Sequence, residues 1–377
     1  MAEPFKYLIS AATVLAMGRH LKRADPSFDQ RRFESLARDG LEALELKARA
    51  MHLCQALEAT LPAEFALAAD LLESSLAPAP SSGDAPLPTQ ADNGLSGWGL
   101  WAVGEFVARR GIDEPQRALA LLHALTQRFT AEFAIRPFIA RHPELCFATL
   151  RGWTRDPSAQ VRRLVSEGSR PRLPWGMQLK ALIADPSPTL PLLRALQDDP
   201  SDTVRRSVAN HLNDIAKDHP ELVAEWIETH LPGASAQRIA LMRHASRSLV
   251  KRSHPRTLQA WGQGRALRGE VRFSVTPQRV TVGASLTLQV TLLSRSRTTQ
   301  SLAIDYAWFR RLADGSLSPK VFKGWTIELA PGETRTLLKR HSLRAVTTRR
   351  DHPGRHHLEL RINGRASGTA PFTLRPA

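Results

Sequence analysis

The stretch Asp156-Pro157-Ser158-Ala159-Gln160-Val161-Arg162-Arg163-Leu164-Val165-Ser166-Glu167 is written again, 43 residues on, as Asp199-Pro200-Ser201-Asp202-Thr203-Val204-Arg205-Arg206-Ser207-Val208-Ala209-Asn210. Each copy carries its own helix-start signal. Asp156 or Asp199 can accept from the orphan amides of a first turn, and proline at the first helical position loses no hydrogen bond there. In the second copy Val204, Val208 and Leu212 recur every four residues and predict the packing stripe. Arg206, Asn210 and Asp214 form a second stripe at the same interval, so a cation, an amide and a carboxylate share neighbouring turns beside a core. The first copy has Arg163 and Glu167 at the positions of Arg206 and Asn210.

A helical unit recurring every ~40–47 residues has the period of HEAT or armadillo arrays, whose units bury their apolar faces against one another. The segment His142-Pro143-Glu144-Leu145 returns as His219-Pro220-Glu221-Leu222 in a different register, so some units are atypical. Upstream, residues 5–76 have helical apolar periodicity. Residues 77–94, rich in proline, read as a surface loop or linker. Trp98 and Trp101 stand three apart on a predicted helix and read as core rather than as a binding platform. Residues 115–151 read as a helical pair with Leu119, Leu122, Leu125 and Phe129 as its stripe, and 234–261 as another pair. Between the two copies lies the connector Ser169-Arg170-Pro171-Arg172-Leu173-Pro174-Trp175-Gly176, with Trp175 expected at or just before the start of a new helix.

Near residue 270 the period changes from 3.6 to 2. Val271-Arg272-Phe273-Ser274-Val275, Val280-Thr281-Val282, Ser285 to Leu292 and His357 to Ile362 alternate apolar and polar residues, as strands with one buried face do. Thr276-Pro277, Asp314-Gly315, Pro331-Gly332-Glu333 and Asn363-Gly364 mark turns between them. About seven short strands without cysteine predict an immunoglobulin-like β-sandwich lacking the inter-sheet disulfide. The expected architecture is therefore an all-α HEAT-like repeat solenoid over 1–268 followed by an all-β immunoglobulin-like sandwich over 270–377.

The 377 residues carry a formal charge of +16. Residues 1–93 hold 9 basic and 13 acidic side chains, 94–269 hold 25 and 16, and 270–377 hold 18 and 7, so the excess lies in the middle and end. A surface this basic, with no long apolar run, predicts a polyanionic partner, nucleic acid before membrane; charge for solubility is the alternative. Cys54 and Cys146 are far apart, so neither a disulfide framework nor a thiolate metal site is expected. The single His-x-x-x-His spacing, His352 to His356, spans a Pro-Gly turn, and the N-terminal residues show no secretory signal, which makes a reducing cytoplasm the expected home.

Arg136, Arg163, Arg170, Arg172, Arg206 and Lys217 on a helical array suit the phosphates of a duplex. Arg349 and Arg350 head the densest basic cluster of the strand region. Arg162 and Arg205 are read instead as structural ties between repeats. Acids on such a surface need their own explanation, since phosphate repels them. Glu132, Glu167 and Asp214 either pair with nearby arginines, Arg163 and Glu167 being an ordinary i,i+4 pair, or stabilise positive charge on a deoxyribose and orient a water for attack. Trp175 either lies against the sugar or base or is buried at a helix start.

The repeated Asp-Pro-Ser-x-x-Val-Arg-Arg-x-Val, with Phe129 to Phe138, Ser166 to Gly176 and Val208 to Asp218, resembles the AlkC family of bacterial alkylated-base DNA glycosylases, grouped with AlkD among the HEAT-like repeat glycosylases. The similarity spans nearly the whole chain apart from 77–94, including an immunoglobulin-like tail that some members carry. It implies a monofunctional enzyme, free of metal and cofactor, that hydrolyses the N-glycosidic bond of 3-methylcytosine and 3-methyladenine in duplex DNA. It implies that the duplex is bent and the lesion reached without base flipping. The matching positions make Glu132, Glu167, Asp214 and Trp175 the expected active-site set, with the sandwich as a basic clamp on the DNA. The expected state is a monomer, cytoplasmic and nucleoid-associated, with no membrane partner. A non-catalytic DNA-binding scaffold and a protein-binding solenoid are the competing readings.

Overall fold

The structure is a computed structural model that describes residues 5–80, 91–252, 254–262, 265–312, 315–344 and 352–376. Its helices are α1 (Ala11–Ala24), α2 (Gln30–Arg38), α3 (Leu46–Thr60), α4 (Phe65–Ser74), α5 (Leu100–Arg110), α6 (Pro115–Thr126), α7 (Arg136–Arg141), α8 (Pro143–Trp153), α9 (Ala159–Gly168), α10 (Lys180–Ala184), α11 (Leu190–Leu196), α12 (Asp202–Asp218), α13 (Pro220–His230), α14 (Ala236–Ala245), α15 (Arg247–Lys251) and α16 (Pro255–Ala260). Strands β1 (Gly269–Thr276), β2 (Arg279–Thr281), β3 (Ser285–Ser294), β4 (Gln300–Arg311), β5 (Leu317–Leu329), β6 (Thr334–Ser342), β7 (Gly354–Ile362) and β8 (Arg365–Arg375) follow. The chain divides into two compact units, Met1–Asp218 with Ser235–Ala245, and His219–Ala234 with Ser246–Ala377, so α13, α15 and α16 group with the strands.

The two repeat copies become α9 and α12, which pack against each other in the first unit. Val204, Val208 and Leu212 are fully buried, as their spacing requires. The helices begin later than the start signals indicate. Asp156 and Asp199 accept from the amides of Ser158 and Ser201 at 2.8 and 2.9 Å, two residues on, and so close Asx turns ahead of the helices. Pro157 therefore precedes the Ser158 cap instead of opening the helix. Arg162 ties the repeats as expected, while Arg205 braces the turn that opens its own copy. Arg162 forks onto both oxygens of Asp199 at 2.6 and 2.9 Å, and Arg205 reaches the Asp199 carbonyl.

Prolines set other boundaries. His142 and His219 cap α8 and α13 with nearly the same backbone angles, φ −129° and −126°, each followed by proline at the first helical position. Pro143 thereby splits the stretch expected as one pair at 115–151 into α6, α7 and α8, and Pro255 similarly opens α16, making three helices of the pair expected at 234–261. Trp101 is buried and stacks on Phe133 with ring centroids 5.4 Å apart, while Trp98 leans on Phe129, so the tryptophan pair is core. Leu76 and Leu95 pair as a bridge that pins the ends of the 77–94 segment; residues 81–90 lie outside the described residues.

Among the described residues of the second unit, eight strands form sheets β1-β3-β6 and β2-β8-β7-β4-β5, with only β2 and β8 parallel. Asn363 and Gly364, at φ 50° and 79°, make the two-residue turn between β7 and β8. Trp308, Leu286, Leu288 and Leu358 fill the space between the sheets. His356 is buried against Trp308, whose indole N–H donates to its Nδ1 at 3.2 Å, so the His352–His356 spacing is part of sandwich packing. Cys54 and Cys146 are free and buried, with thiols pushed up to about 12 by burial. No helix among the described residues is long and apolar enough to cross a membrane.

Candidate active site

Three segments of the first unit bring the expected acids together. Glu132 comes from the turn before α7, Glu167 from the last turn of α9, and Asp214 from the buried C-terminal half of α12. All three are buried. Arg170 joins two of them, donating from one nitrogen to Glu167 Oε1 at 2.6 Å and from Nε to Asp214 Oδ2 at 2.9 Å. The second oxygen of Glu167 accepts from Ser207 Oγ at 2.6 Å, and that of Asp214 from Lys217 Nζ at 2.8 Å. Glu132 accepts from Arg163 at 2.8 Å, and Arg163 also bonds Thr130 Oγ1. Each carboxylate is thus held by at least one charged donor.

The expected i,i+4 pair of Arg163 with Glu167 does not form. Glu167 is taken by Arg170 and Ser207, and Arg163 turns the other way across to the Glu132 turn. Burial raises the Glu132 carboxyl above its ordinary 4.5; the Arg163 charge and hydrogen bond oppose the rise, and the Glu167 charge adds to it. Burial disfavours the Arg170 cation, but Glu167 and Asp214 outweigh that and raise it. Behind the acids His211, on the same helix as Asp214, donates from Nδ1 to the Ser166 carbonyl at 2.9 Å and is held neutral by burial, which lowers it to about 4.

Arg136 is not placed to meet phosphate. It is fully buried, and its guanidinium donates to the backbone carbonyls of Met177 at 2.6 Å, Arg170 at 2.8 Å and Gly168 at 2.9 Å. A cation inside the protein needs acceptors, and the carbonyls of a connector without regular structure need donors; each supplies the other. Burial, then the charge of Arg170, lowers Arg136 to about 10, with the nearby acids opposing. Arg170 is likewise no free phosphate ligand, since its donors are spent on acids at 9% side-chain exposure.

Trp175 does not start a helix. It sits in a turn five residues before α10, with 76% of its surface exposed and φ at 65°, a left-handed conformation unusual for a large side chain. The Arg136 clasp fixes the backbone on either side. A Cβ at Gly176 would lie 3.2–3.4 Å from Leu173, Phe133 and Arg136, so the connector also runs close over the protein at that point. The indole therefore projects from an anchored, strained backbone, an arrangement that suits contact with something outside the protein.

The remaining basic candidates differ in freedom. Arg172 forks onto Asp218, Arg206 is 69% exposed and pairs with Asp202, and Lys217 is 46% exposed. Arg349 and Arg350 lie outside the described residues. Ser207 and the clasp role of Arg136 are not in the sequence reading. Ser207 left a trace, since it stands where the first copy has the core residue Leu164; the clasp left none.

Residues 129–249, which contain all three acids, Trp175 and both repeat copies, match the family described as DNA alkylation repair enzyme. Residues 270–376 match the C-terminal Ig-like domain described for the uncharacterised protein YhaZ. The chain is 33% identical to the uncharacterised protein YhaZ of Bacillus subtilis over 361 residues, 94% of this chain and 95% of that one. It is similar, at 33% identity and a TM-score of 0.83 over 99% of this chain and 100% of the other, to the Pseudomonas fluorescens alkylpurine DNA glycosylase AlkC, solved bound to DNA containing an abasic site analogue. Likeness at this level over both chains, helices and sandwich together, places this protein in the AlkC family of DNA alkylation repair enzymes.

Proposed function

We propose that this protein is a monofunctional DNA glycosylase that hydrolyses the N-glycosidic bond of cationic alkylated bases, 3-methylcytosine and 3-methyladenine, in duplex DNA without base flipping. The observation that carries the reading is the gathering of Glu132, Glu167 and Asp214 into one buried cluster, on the unit whose anchored connector exposes Trp175. A base alkylated at N3 already carries positive charge. When its C1′–N bond breaks, both bonding electrons leave with the base, which departs neutral and needs no proton. The cost then lies in the sugar, which becomes oxocarbenium-like, and fixed carboxylates lower it; preorganised groups of this kind are worth about 3–4 kcal/mol each.

In this reading Asp214 orients the water that adds at C1′ and accepts its proton, while Glu167 and Glu132 supply negative field. Trp175 lies against the sugar from the groove side. Arg163, Arg172, Arg206 and Lys217 meet phosphates, with the basic residues of 270–377, Arg349 and Arg350 among them, clamping the duplex. The same reading has the protein work as a monomer on the nucleoid, in the cytoplasm.

Purified protein should release 3-methylcytosine or 3-methyladenine from methylated duplex DNA. Folded protein that binds such DNA and releases neither rejects the reading. The full pairing of all three acids with cations is also what a non-catalytic scaffold would show, and that scaffold has no turnover for an Asp214 substitution to remove.

A further inference from the structure

The described site is poorly prepared to stabilise a cation. Three carboxylates, Glu132, Glu167 and Asp214, stand among four cations, Arg136, Arg163, Arg170 and Lys217. Carboxylates stabilise a developing positive charge only through field that neighbouring cations leave uncancelled. A cation must therefore withdraw before the cluster can act as the glycosylase reading requires.

The four are not equally free to do so. Arg136 is enclosed and bonded to four carbonyls. Arg170 straddles Glu167 and Asp214 inside the protein, and Arg163 holds both Glu132 and Thr130. Lys217 is different. Its side chain is half exposed in the last turn of α12, and it makes one hydrogen bond among the described residues, to Asp214 Oδ1. A compact ammonium on a flexible stem can swing from a carboxylate to a phosphate without disturbing the helix that carries it. Meanwhile Arg170 keeps its grip on Oδ2, so the Asp214 carboxylate does not rotate when Oδ1 is released.

We propose that Lys217 is a phosphate-responsive cap on Asp214. In the free protein its ammonium neutralises Oδ1. A DNA phosphate beside the lesion draws it off, and the Asp214 charge turns to the sugar only when a duplex is seated. The proposal rests on the glycosylase reading and makes Lys217 a positioning residue, acting through Asp214.

The test uses the full chain, saturating enzyme and single-turnover release from alkylated duplexes in which one phosphate at a time near the lesion is replaced by a neutral methylphosphonate. At one or two positions the wild-type rate should fall about tenfold or more, because the cap stays on. Lys217→Ala, lacking the cap, should keep its own rate on those same duplexes within about twofold, and Lys217→Met, which retains the stem, should match it. The proposal is overturned if the variants fall by the same factor as wild type, or if every replacement weakens only binding and leaves the saturating wild-type rate unchanged. Failure of wild type to release base from the all-phosphate duplex is a separate result; it overturns the glycosylase reading and the cap together.

Discussion

At single positions burial sets ionisation. Glu132 is held above the ordinary carboxylate value because burial outweighs the Arg163 pair. It therefore takes up a proton at a pH where exposed glutamates are still ionised. Base release should fall along an acidic limb lying above pH 4.5, and Glu132→Gln should be slower but lack that limb in a single-turnover pH profile. His211 follows the opposite logic. Its folded value of about 4 lies below the unfolded 6.5, so its contribution is complete above pH 6.5 and is lost as pH falls towards 4. The expected loss is about 3 kcal/mol, read by urea denaturation at pH 7 and 4, and His211→Asn, which can keep the bond to Ser166, should flatten the difference. The acids were legible in the sequence as residues but not as a network. Arg163 with Glu167 satisfies the helix-spacing rule, yet the structure gives Glu167 to Arg170 and Ser207, because partners 3 and 40 residues away compete with the one on the neighbouring turn. A core serine in place of Leu164 was the only local sign of that competition.

Among the elements, the connector from Ser169 to Met177 has the most to explain. It carries no regular structure, yet it holds Arg170 on the acids and Trp175 in the open. Removing the Arg136 guanidinium strands four carbonyls. Arg136→Met should therefore cost at least about 3 kcal/mol and expose the connector to limited proteolysis, and a variant as stable and protease-resistant as wild type would remove the clasp from the account. The strained φ at Trp175 predicts the reverse for stability: Trp175→Asn, which tolerates a left-handed backbone, should fold at least as stably, by up to about 1 kcal/mol, while base release drops about tenfold or more. Helix existence was written plainly in the chain, since alternating start signals and apolar stripes act locally. Boundaries were less so, because Asp156 and Asp199 closed turns of their own before the helices began. The clasp could not be read at all: which carbonyls a buried arginine satisfies depends on how segments 32 to 41 residues apart come together.

For the whole chain, the change from helical to strand period near residue 270 was sufficient to separate the kinds of structure, and β1 begins at Gly269. Eight strands are described where about seven were expected, and even the three-residue β2 was legible, as the alternation Val280-Thr281-Val282. The charge of +16 makes DNA affinity strongly salt-dependent. Each phosphate contact contributes about 0.9 to the slope of log K against log salt, so Arg206→Ala, at an exposed cation, should lower the slope by about one contact. Arg136→Met, at a buried one, should leave it unchanged under conditions where that variant is folded.

The central claim is that the buried acids break the glycosidic bond. Single-turnover release of 3-methylcytosine or 3-methyladenine by Asp214→Asn, measured beside its affinity for the same duplex, tests this most directly. The account predicts a rate lower by about 10²-fold or more with affinity within a few-fold of wild type. Release at the wild-type rate would contradict it.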